Sequence, residues 1–341
     1  LQRTRANGET LMTRLLLTTL CTLLLQLVPI PVAHAQTYTV DAITDANFGD
    51  VVSAASGQTV FRSNASSGSV TVASGSGVRL SNTAANAEVT ISCSNTFACN
   101  ATNVQVTLAL AGSPTGRVGY ITAISVANGT ATVNSAYSAG NYVVINLAPI
   151  PRRSSRTFLI GFDLPVDGNE SASPTGSASS SYLITAQRAT GGGSDSLVGN
   201  ILAKVIRPVS IAKTQDLQFG AVTRPTSGSG AVTLTPDGVV SVSGTNVRRF
   251  PAPAATAAQF TVSGEGGQAV TISVPTTMTL SGSGGSVTAT LTNVGGGPQV
   301  LSGSTGSAGT VNVSVGGSVP LSGSSALGTL TGTVTVMVQY N

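Results

Sequence analysis

The chain has 341 residues, only 8% of them charged, with a formal net charge of +4, 40 glycines and no tryptophan. So thin a spread of charge, without a basic stripe carrying interleaved aromatics, argues against nucleic acid as a partner, because phosphate binding needs concentrated positive charge. Abundant Val, Thr, Ile and Leu at low charge favour β-strands over disorder.

Residues 1–35 read as an export signal. Arg14 supplies a basic start, Leu15 to Val28 is an apolar run interrupted only by Thr, Cys and Gln, and Ala33-His34-Ala35 is a small-x-small cleavage site. The run is too short to span a bilayer as a helix. Met12 is the natural start, which makes Leu1 to Leu11 upstream sequence, and the mature chain is expected to begin at Gln36. Cleavage takes Arg3, Arg5, Arg14 and Glu9 from the 16 basic and 12 acidic residues, leaving 13 and 11. It also removes Cys21 and the only histidine, His34.

Beyond the signal, one pattern occurs twice, which argues for tandem domains. Asp45-Ala-Asn-Phe48-Gly49-Asp50-Val51 returns as Asp216-Leu-Gln-Phe219-Gly220-Ala-Val222. Ile160-Gly-Phe-Asp-Leu-Pro165-Val166 returns as Val315-Gly-Gly-Ser-Val-Pro320-Leu321. A β run closes each copy, Ser181 to Ala186 and Thr333 to Tyr340. With aromatics so few, Phe48 and Phe219 are the expected core anchors of the two copies.

In the first copy, Glu88 to Ser92 and Val104 to Leu110 read as strands on either side of Cys93 and Cys99. Two cysteines this close in an exported chain read as a disulfide, and closing so small a loop contributes about 2.4 kcal/mol by the loop-entropy relation. Two thiols without a histidine are too few ligands for a metal site. Ile121 to Val126 and Thr130 to Val133, about Ala127-Asn128-Gly129, read as a hairpin, and Tyr142 to Leu147 as a buried strand. Arg152, Arg153 and Arg156 form the one basic cluster, either a site for an acidic polysaccharide or other surface anion, or a solvated loop or charged edge. Asp163, Asp167, Asn169 and Glu170 read either as a weak calcium candidate or, since their spacing does not fit an EF-hand loop, as a turn.

Thr190 to Asp195 is glycine-rich and reads as flexible. After it Leu197, Ile201, Ala203, Val205, Val209 and Ile211 share one parity, so this segment should pair with something. In the second copy Val232 to Val242 is a hairpin about Pro236-Asp237-Gly238. Phe260 to Ser263, Val270 to Val274, Val287 to Leu291 and Val311 to Val315 read as further strands. No window carries a helical period, and many short strands at this spacing indicate all-β, tandem Ig-like or Greek-key sandwiches. The expected division is residues 36–196 for the disulfide-bearing N-terminal sandwich, 197–206 for a linker or complementing strand, and 207–341 for the C-terminal sandwich.

For catalysis the mature chain offers no histidine base and no free thiol, which excludes Ser-His-Asp and Cys-His arrangements. Its glycine-rich stretches lack the Lys-Ser/Thr ending of a phosphate loop. Paired-carboxylate glycoside chemistry would have only Asp163 to Glu170 to use. The expectation is a non-enzyme without a cofactor.

Val205-Ile-Arg-Pro-Val-Ser-Ile-Ala-Lys-Thr-Gln-Asp216-Leu-Gln-Phe219-Gly220, followed by Ala258-Gln-Phe260-Thr-Val-Ser-Gly264 and the closing strand, resembles a family of exported bacterial proteins catalogued as domain of unknown function 4402. The resemblance covers residues 205–341 well and the first copy only through the three landmarks. Members look pilin-like and occur with the chaperone–usher system. The resemblance therefore implies a fimbrial subunit, with a periplasmic chaperone, an outer-membrane usher and sister pilin subunits as partners and the cell surface as destination. Usher-assembled pilins are similar in carrying a penultimate tyrosine and a glycine fourteenth from the C-terminus, the places of Tyr340 and Gly328 here. In pilins the last strand borders a groove filled first by a chaperone and then by a neighbouring subunit. Val334, Val336, Val338 and Tyr340 would form the apolar face of that strand.

If Tyr38 to Ile43 is the first strand, little remains ahead of it to donate. The expectation is then a tip subunit that accepts a strand and donates none, with Leu197 to Val205 completing the first copy. The competing class is a free-standing secreted module for carbohydrate or surface polymer, with complete sandwiches and no assembly. A surface glycan or protein receptor is open under both, although scarce aromatics argue against a sugar-stacking platform.

Overall fold

The computed structural model describes residues 37–94, 97–168 and 174–341. The signal read in residues 1–35 lies outside the described residues, as do Asn169 and Glu170.

The first half contains β1 (Tyr38–Ile43), β2 (Ala46–Val52), β3 (Gln58–Ser63), β4 (Val70–Ser74), β5 (Val78–Arg79) and β6 (Ala87–Cys93). It continues with β7 (Val104–Thr115), β8 (Ala123–Asn128), β9 (Val133–Ala139), β10 (Tyr142–Leu147), β11 (Ser155–Asp167), β12 (Gly176–Arg188) and β13 (Asp195–Ile206). One sheet runs β1-β6-β11-β3-β4, with β8 also on β11, and the other runs β5-β2-β13-β12-β7-β10-β9. Period-two alternation makes these strands two-faced: in β6, Ala87, Val89 and Ile91 are buried while Glu88, Thr90 and Ser92 point outward. The inward faces enclose one core with Tyr38, Phe48, Phe61, Phe158, Phe162 and Tyr182 at its centre. Phe162 and Tyr182 meet across it with ring centroids 4.9 Å apart.

The second half contains β14 (Ser210–Gln215), β15 (Ser229–Leu234), β16 (Val240–Ser243), β17 (Ala258–Glu265) and β18 (Ala269–Ser273). It ends with β19 (Thr277–Gly282), β20 (Gly285–Val294), β21 (Gly297–Val300), β22 (Ala308–Ser322) and β23 (Met337–Tyr340). One sheet runs β14-β17-β22-β15-β16, with β20 on β22 and β19 on β20, and the other is only β21-β18-β23.

The two halves repeat one topology. β1, β6, β11, β3, β4 and β8 correspond in order to β14, β17, β22, β15, β16 and β20. The second sequence landmark keeps even its register: Asp163, Leu164 and Pro165 face Arg62, Phe61 and Val60, and Ser318, Val319 and Pro320 face Thr233, Val232 and Ala231. The polar cross-strand pair changes chemistry at a conserved place in the repeat. Arg62 grips Asp163 with Nε–Oδ1 at 2.8 Å and Nη2–Oδ2 at 2.6 Å, whereas Thr233 and Ser318 share a hydroxyl hydrogen bond of 3.0 Å. In the other sheet β10, β7 and β12 correspond to β21, β18 and β23, and β13 has no counterpart.

Four features differ from the sequence expectations. Residues 121–133 form no hairpin: β8 joins β11 and β9 joins β10, so the chain crosses from one sheet to the other at 129–132. Gly129 permits the crossing, since a Cβ there would lie 2.6 Å from the Thr157 carbonyl oxygen. The glycine-rich residues 190–194 turn the hairpin between β12 and β13, whose ends pair at Ala186 and Asp195. The closing strand is shorter than Thr333 to Tyr340, with only Met337–Tyr340 paired. Finally, Phe48 is fully buried but Phe219 only partly, because residues 216–222 form no strand and lack the neighbour that covers β2.

The last difference sets a test. Phe48→Ala should destabilise the chain by roughly 3–5 kcal/mol, the usual cost of emptying a closed aromatic site. Phe219→Ala should cost less than half as much, since part of its ring is already in solvent. Denaturant unfolding of both variants, resolved by half, measures the contrast.

Candidate functional site

In the first half β13 lies between two strands. It pairs antiparallel with β12 from Asp195 to Val205 and parallel with β2, where Ile201 faces Ala46 and Val205 faces Val51. Gly199, Ile201, Ala203 and Val205 point into the core and are buried, while Ser196, Val198, Asn200 and Lys204 alternate outward. Leu197 has the inward parity but remains 37% exposed. Gly199 is required by its neighbour, because a Cβ there would sit 2.5 Å from Tyr182 Cζ. The strand is pinned at both ends. Asp195 Oδ2 accepts the Val40 amide at 2.9 Å, and the Ile206 carbonyl accepts the Ser53 amide at 3.0 Å.

In the second half the corresponding place is vacant among the described residues. Residues 216–222, the copy of β2, are paired on one side only: the Gln218 and Thr256 amides exchange bonds with each other's carbonyls at 2.8 Å, and Phe250 N–H donates to the Ala221 carbonyl at 2.9 Å. The same side of β2 carries β5. β23 pairs on one side with β18, Val338 facing Ile272 and Tyr340 facing Val270. The side of β23 that corresponds to β13's side of β12 has no strand partner. Leu217, Phe219, Val222, Val334, Val336, Val338 and Tyr340 pack against the second core yet stay only partly buried. Gly328 lies before this strand with φ 97°, a left-handed turn position open to solvent.

At the end of β23 the Tyr340 hydroxyl donates to the Arg207 carbonyl at 2.8 Å and accepts the Glu265 amide at 2.8 Å. The Glu265 side chain is fully buried. Its Oε2 accepts from Arg207 Nη1 at 3.0 Å and from the Arg207 amide at 3.1 Å; its Oε1 accepts from the Thr175 hydroxyl at 3.0 Å and from the Gly306 amide. Arg207 Nη1 also donates to Thr175 Oγ1 at 2.7 Å. Thr175 precedes β12 in the first half, Arg207 follows β13, and Glu265 ends β17 in the second half. This one polar cluster therefore joins both sandwiches and the chain between them. Burial raises the Tyr340 phenol pKa above its ordinary value of 10.0, against the lowering effect of the Glu265 amide bond.

The remaining sequence candidates lie elsewhere. Cys93 and Cys99 are joined as a disulfide that ties the end of β6 to the short turn Phe97–Asn100. Tyr38 caps the same turn through hydroxyl bonds to the Cys99 carbonyl at 3.3 Å and the Thr102 carbonyl at 3.0 Å. Arg152 stacks its guanidinium 4.4 Å from the Phe97 ring centroid, Arg153 holds a turn at φ 56°, and Arg156 opens β11 with Nη1 on the Ser155 carbonyl. All three lie at the pole where β11 begins, opposite the pole where Thr175 meets the second half. The calcium grouping does not form from Asp163 and Asp167. They stand four residues apart on one extended strand, roughly 13 Å, too far to share an ion, and Asp163 is held by Arg62. Among the described residues no group of three or more His, Cys, Asp or Glu is placed to hold a metal.

Sequence reasoning missed Thr175, Arg207 and Glu265. One signal was available: in a chain only 8% charged, a lone glutamate ending an alternating apolar strand is conspicuous. Its partners came from distant segments and left no local trace.

The fold defines a tandem β-sandwich protein whose second half, among the described residues, repeats the first without a counterpart of β13. Residues 209–340, the second half, match the family described as domain of unknown function 4402. No curated protein matches the chain. Among solved structures it is similar to a chain from a chaperone–tip adhesin complex of CFA/I fimbriae biogenesis, with 10% identity, 87% of this chain and 97% of that chain covered, and a TM-score of 0.26. It is also similar to a chain from a chaperone–tip adhesion subunit pre-assembly complex of the archaic chaperone–usher Csu pili of Acinetobacter baumannii, with 10% identity, 87% and 100% covered, and a TM-score of 0.27.

Two outcomes follow from the cluster. Glu265→Ala removes the carboxylate that faces the largely buried Arg207 guanidinium and should cost roughly 3–5 kcal/mol in denaturant unfolding, whereas Tyr340→Phe, which removes one hydroxyl bonded to an amide and a carbonyl, should cost about 1–3 kcal/mol. The phenols of Tyr38, Tyr182 and Tyr340 are all raised, chiefly by burial. Their contribution is therefore complete below the ordinary value of 10.0 and is lost as pH rises through the raised folded values. Denaturant midpoints followed past that pH should fall, and fall less steeply in Tyr340→Phe.

Proposed function

We propose that this protein is an exported, non-catalytic subunit of a surface fibre, whose second sandwich accepts a strand from another polypeptide between β23 and residues 216–222. The observation that carries the reading is β13. The first half is closed by a strand lying parallel to β2 and antiparallel to β12, and the second half repeats the topology without that strand. Strand addition supplies main-chain hydrogen bonds along an open edge and seats alternate side chains in the core beneath it. The half-buried row of Leu217, Phe219, Val334, Val336 and Val338 is the apolar surface such a strand would cover.

In this reading a periplasmic chaperone fills the edge during transit, an outer-membrane usher exchanges it for a sister subunit, and the first half is displayed at the surface. β1 is already paired to β6 within its own sandwich, which goes with a tip position after cleavage at Ala35. The arginine turn at the far pole, Arg152, Arg153 and Arg156, is then the outermost basic surface and the proposed contact for an anionic surface polymer.

The test is to close the edge in cis. A second copy of residues 195–206 fused after Asn341 through a flexible linker recreates the β12–β13 hairpin on β23. The fusion should raise the unfolding midpoint of the second half and let the protein accumulate in a periplasm without any chaperone, where the parent chain should be degraded or aggregate. A parent chain that accumulates alone as a stable monomer, unaffected by the fusion, would identify a complete secreted module instead.

A further inference from the structure

We propose that Tyr340, Glu265 and Arg207 are positioning residues for strand acceptance: they make occupancy of the open edge and the fixed angle between the two sandwiches a single equilibrium. This rests on the strand-accepting reading given above and adds to it a second site, the interdomain joint, that the edge would control.

The geometry points to this coupling because residue 207 is the joint. β13 ends at Ile206 and β14 begins at Ser210, so the chain passes between the sandwiches at residues 207–209. Three groups of Arg207 are held there. Its amide and guanidinium bind Glu265, its guanidinium also binds Thr175 of the first sandwich, and its carbonyl binds the Tyr340 hydroxyl. Of these anchors, only the tyrosine sits on a strand with an open edge. β23 is four residues long and paired with one neighbour, so its end is the part of the cluster most exposed to fraying. A donor strand along its free side would pair β23 on both sides. It would thereby hold the tyrosine ring in place, and with it the carbonyl of the joint.

Loss of the tyrosine contact acts in reverse. The Arg207 carbonyl and Glu265 amide then lose the hydroxyl that joins them in a largely buried site, which favours opening of the joint to water. Opening separates Thr175 from the Glu265 carboxylate and frees the first sandwich to swing. Linkage makes the effect reciprocal: whatever loosens the joint on the Thr175 side must weaken strand binding on the β23 side by the same factor.

The experiment uses the full mature chain and a synthetic peptide of residues 195–206 as donor strand. Spin labels on cysteines replacing the exposed residues Ser74 and Thr292 report the distance between the halves. Saturating peptide should narrow the distance distribution of the parent chain. Tyr340→Phe should broaden it and weaken the peptide by roughly tenfold, within the usual range of coupling between sites. Thr175→Val leaves β23 untouched and should nevertheless weaken the peptide by a similar factor, which a local structural role for Tyr340 would not produce. Circular dichroism confirms that each variant remains folded. Peptide binding that is unchanged in Thr175→Val, with a distribution insensitive to peptide, overturns the coupling while leaving strand acceptance intact. Failure of any peptide to bind the parent chain overturns strand acceptance itself, and the coupling with it.

Discussion

A β-sheet edge is a row of backbone donors and acceptors beside a half-covered apolar face, and both ask for a neighbour. Whether that demand is met separates the two halves of this chain. In the first, β13 supplies the neighbour and thirteen strands close around Phe48, Phe158, Phe162 and Tyr182, with few partly buried residues at the margin. In the second, the same topology lacks one strand among the described residues, and Leu217, Phe219, Val222, Val334, Val336, Val338 and Tyr340 remain partly exposed. β14, β17, β22, β15 and β16 form as full a sheet as their counterparts in the first half.

β13 does two things at once. It completes the sandwich behind it and, at Ile206, delivers the chain directly to the sandwich ahead. The strand that closes the first sandwich is therefore also the one that leads the chain into the second. Beside β23 the described residues place no such strand. The vacancy differs in lining, however. In the first half Tyr182 fills the space above Gly199, whereas the residues of the closing run that pack on the core of the second half are Val334, Val336 and Val338.

Buried charge is rare in this molecule, and the joint holds one instance of it, Glu265. A fully buried carboxylate costs several kcal/mol of desolvation unless charges and donors surround it. Glu265 has the Arg207 guanidinium, the Thr175 hydroxyl and two backbone amides, drawn from both halves and the chain between them. Such a cluster forms at one relative placement of the sandwiches, so it specifies an angle as much as it adds stability. Exposed pairs such as Lys213–Asp216 carry no comparable information.

How much of this could be read from residues alone follows from the range of the interactions. Alternation is a property of neighbours two apart, so strands such as β6, β10 and β17 and the hairpin about Pro236-Asp237-Gly238 were legible, as was the all-β class. The disulfide was legible because Cys93 and Cys99 lie within one short loop. The repeat was legible through three landmarks, one of which keeps its cross-strand register in both halves. Illegible were the choices that depend on which strand lies beside which: that β8 and β9 part to different sheets, that Asp163 pairs with Arg62, that Phe219 lacks the cover given to Phe48. The cluster of Thr175, Arg207, Glu265 and Tyr340 draws on four separated segments, and no spacing announces it. Local pattern determined what each segment is, because pleat and turn are set by adjacent residues. Only the tertiary structure decided which edge is filled, which is left open and what holds the two halves together, because those depend on neighbours that the chain brings from far away.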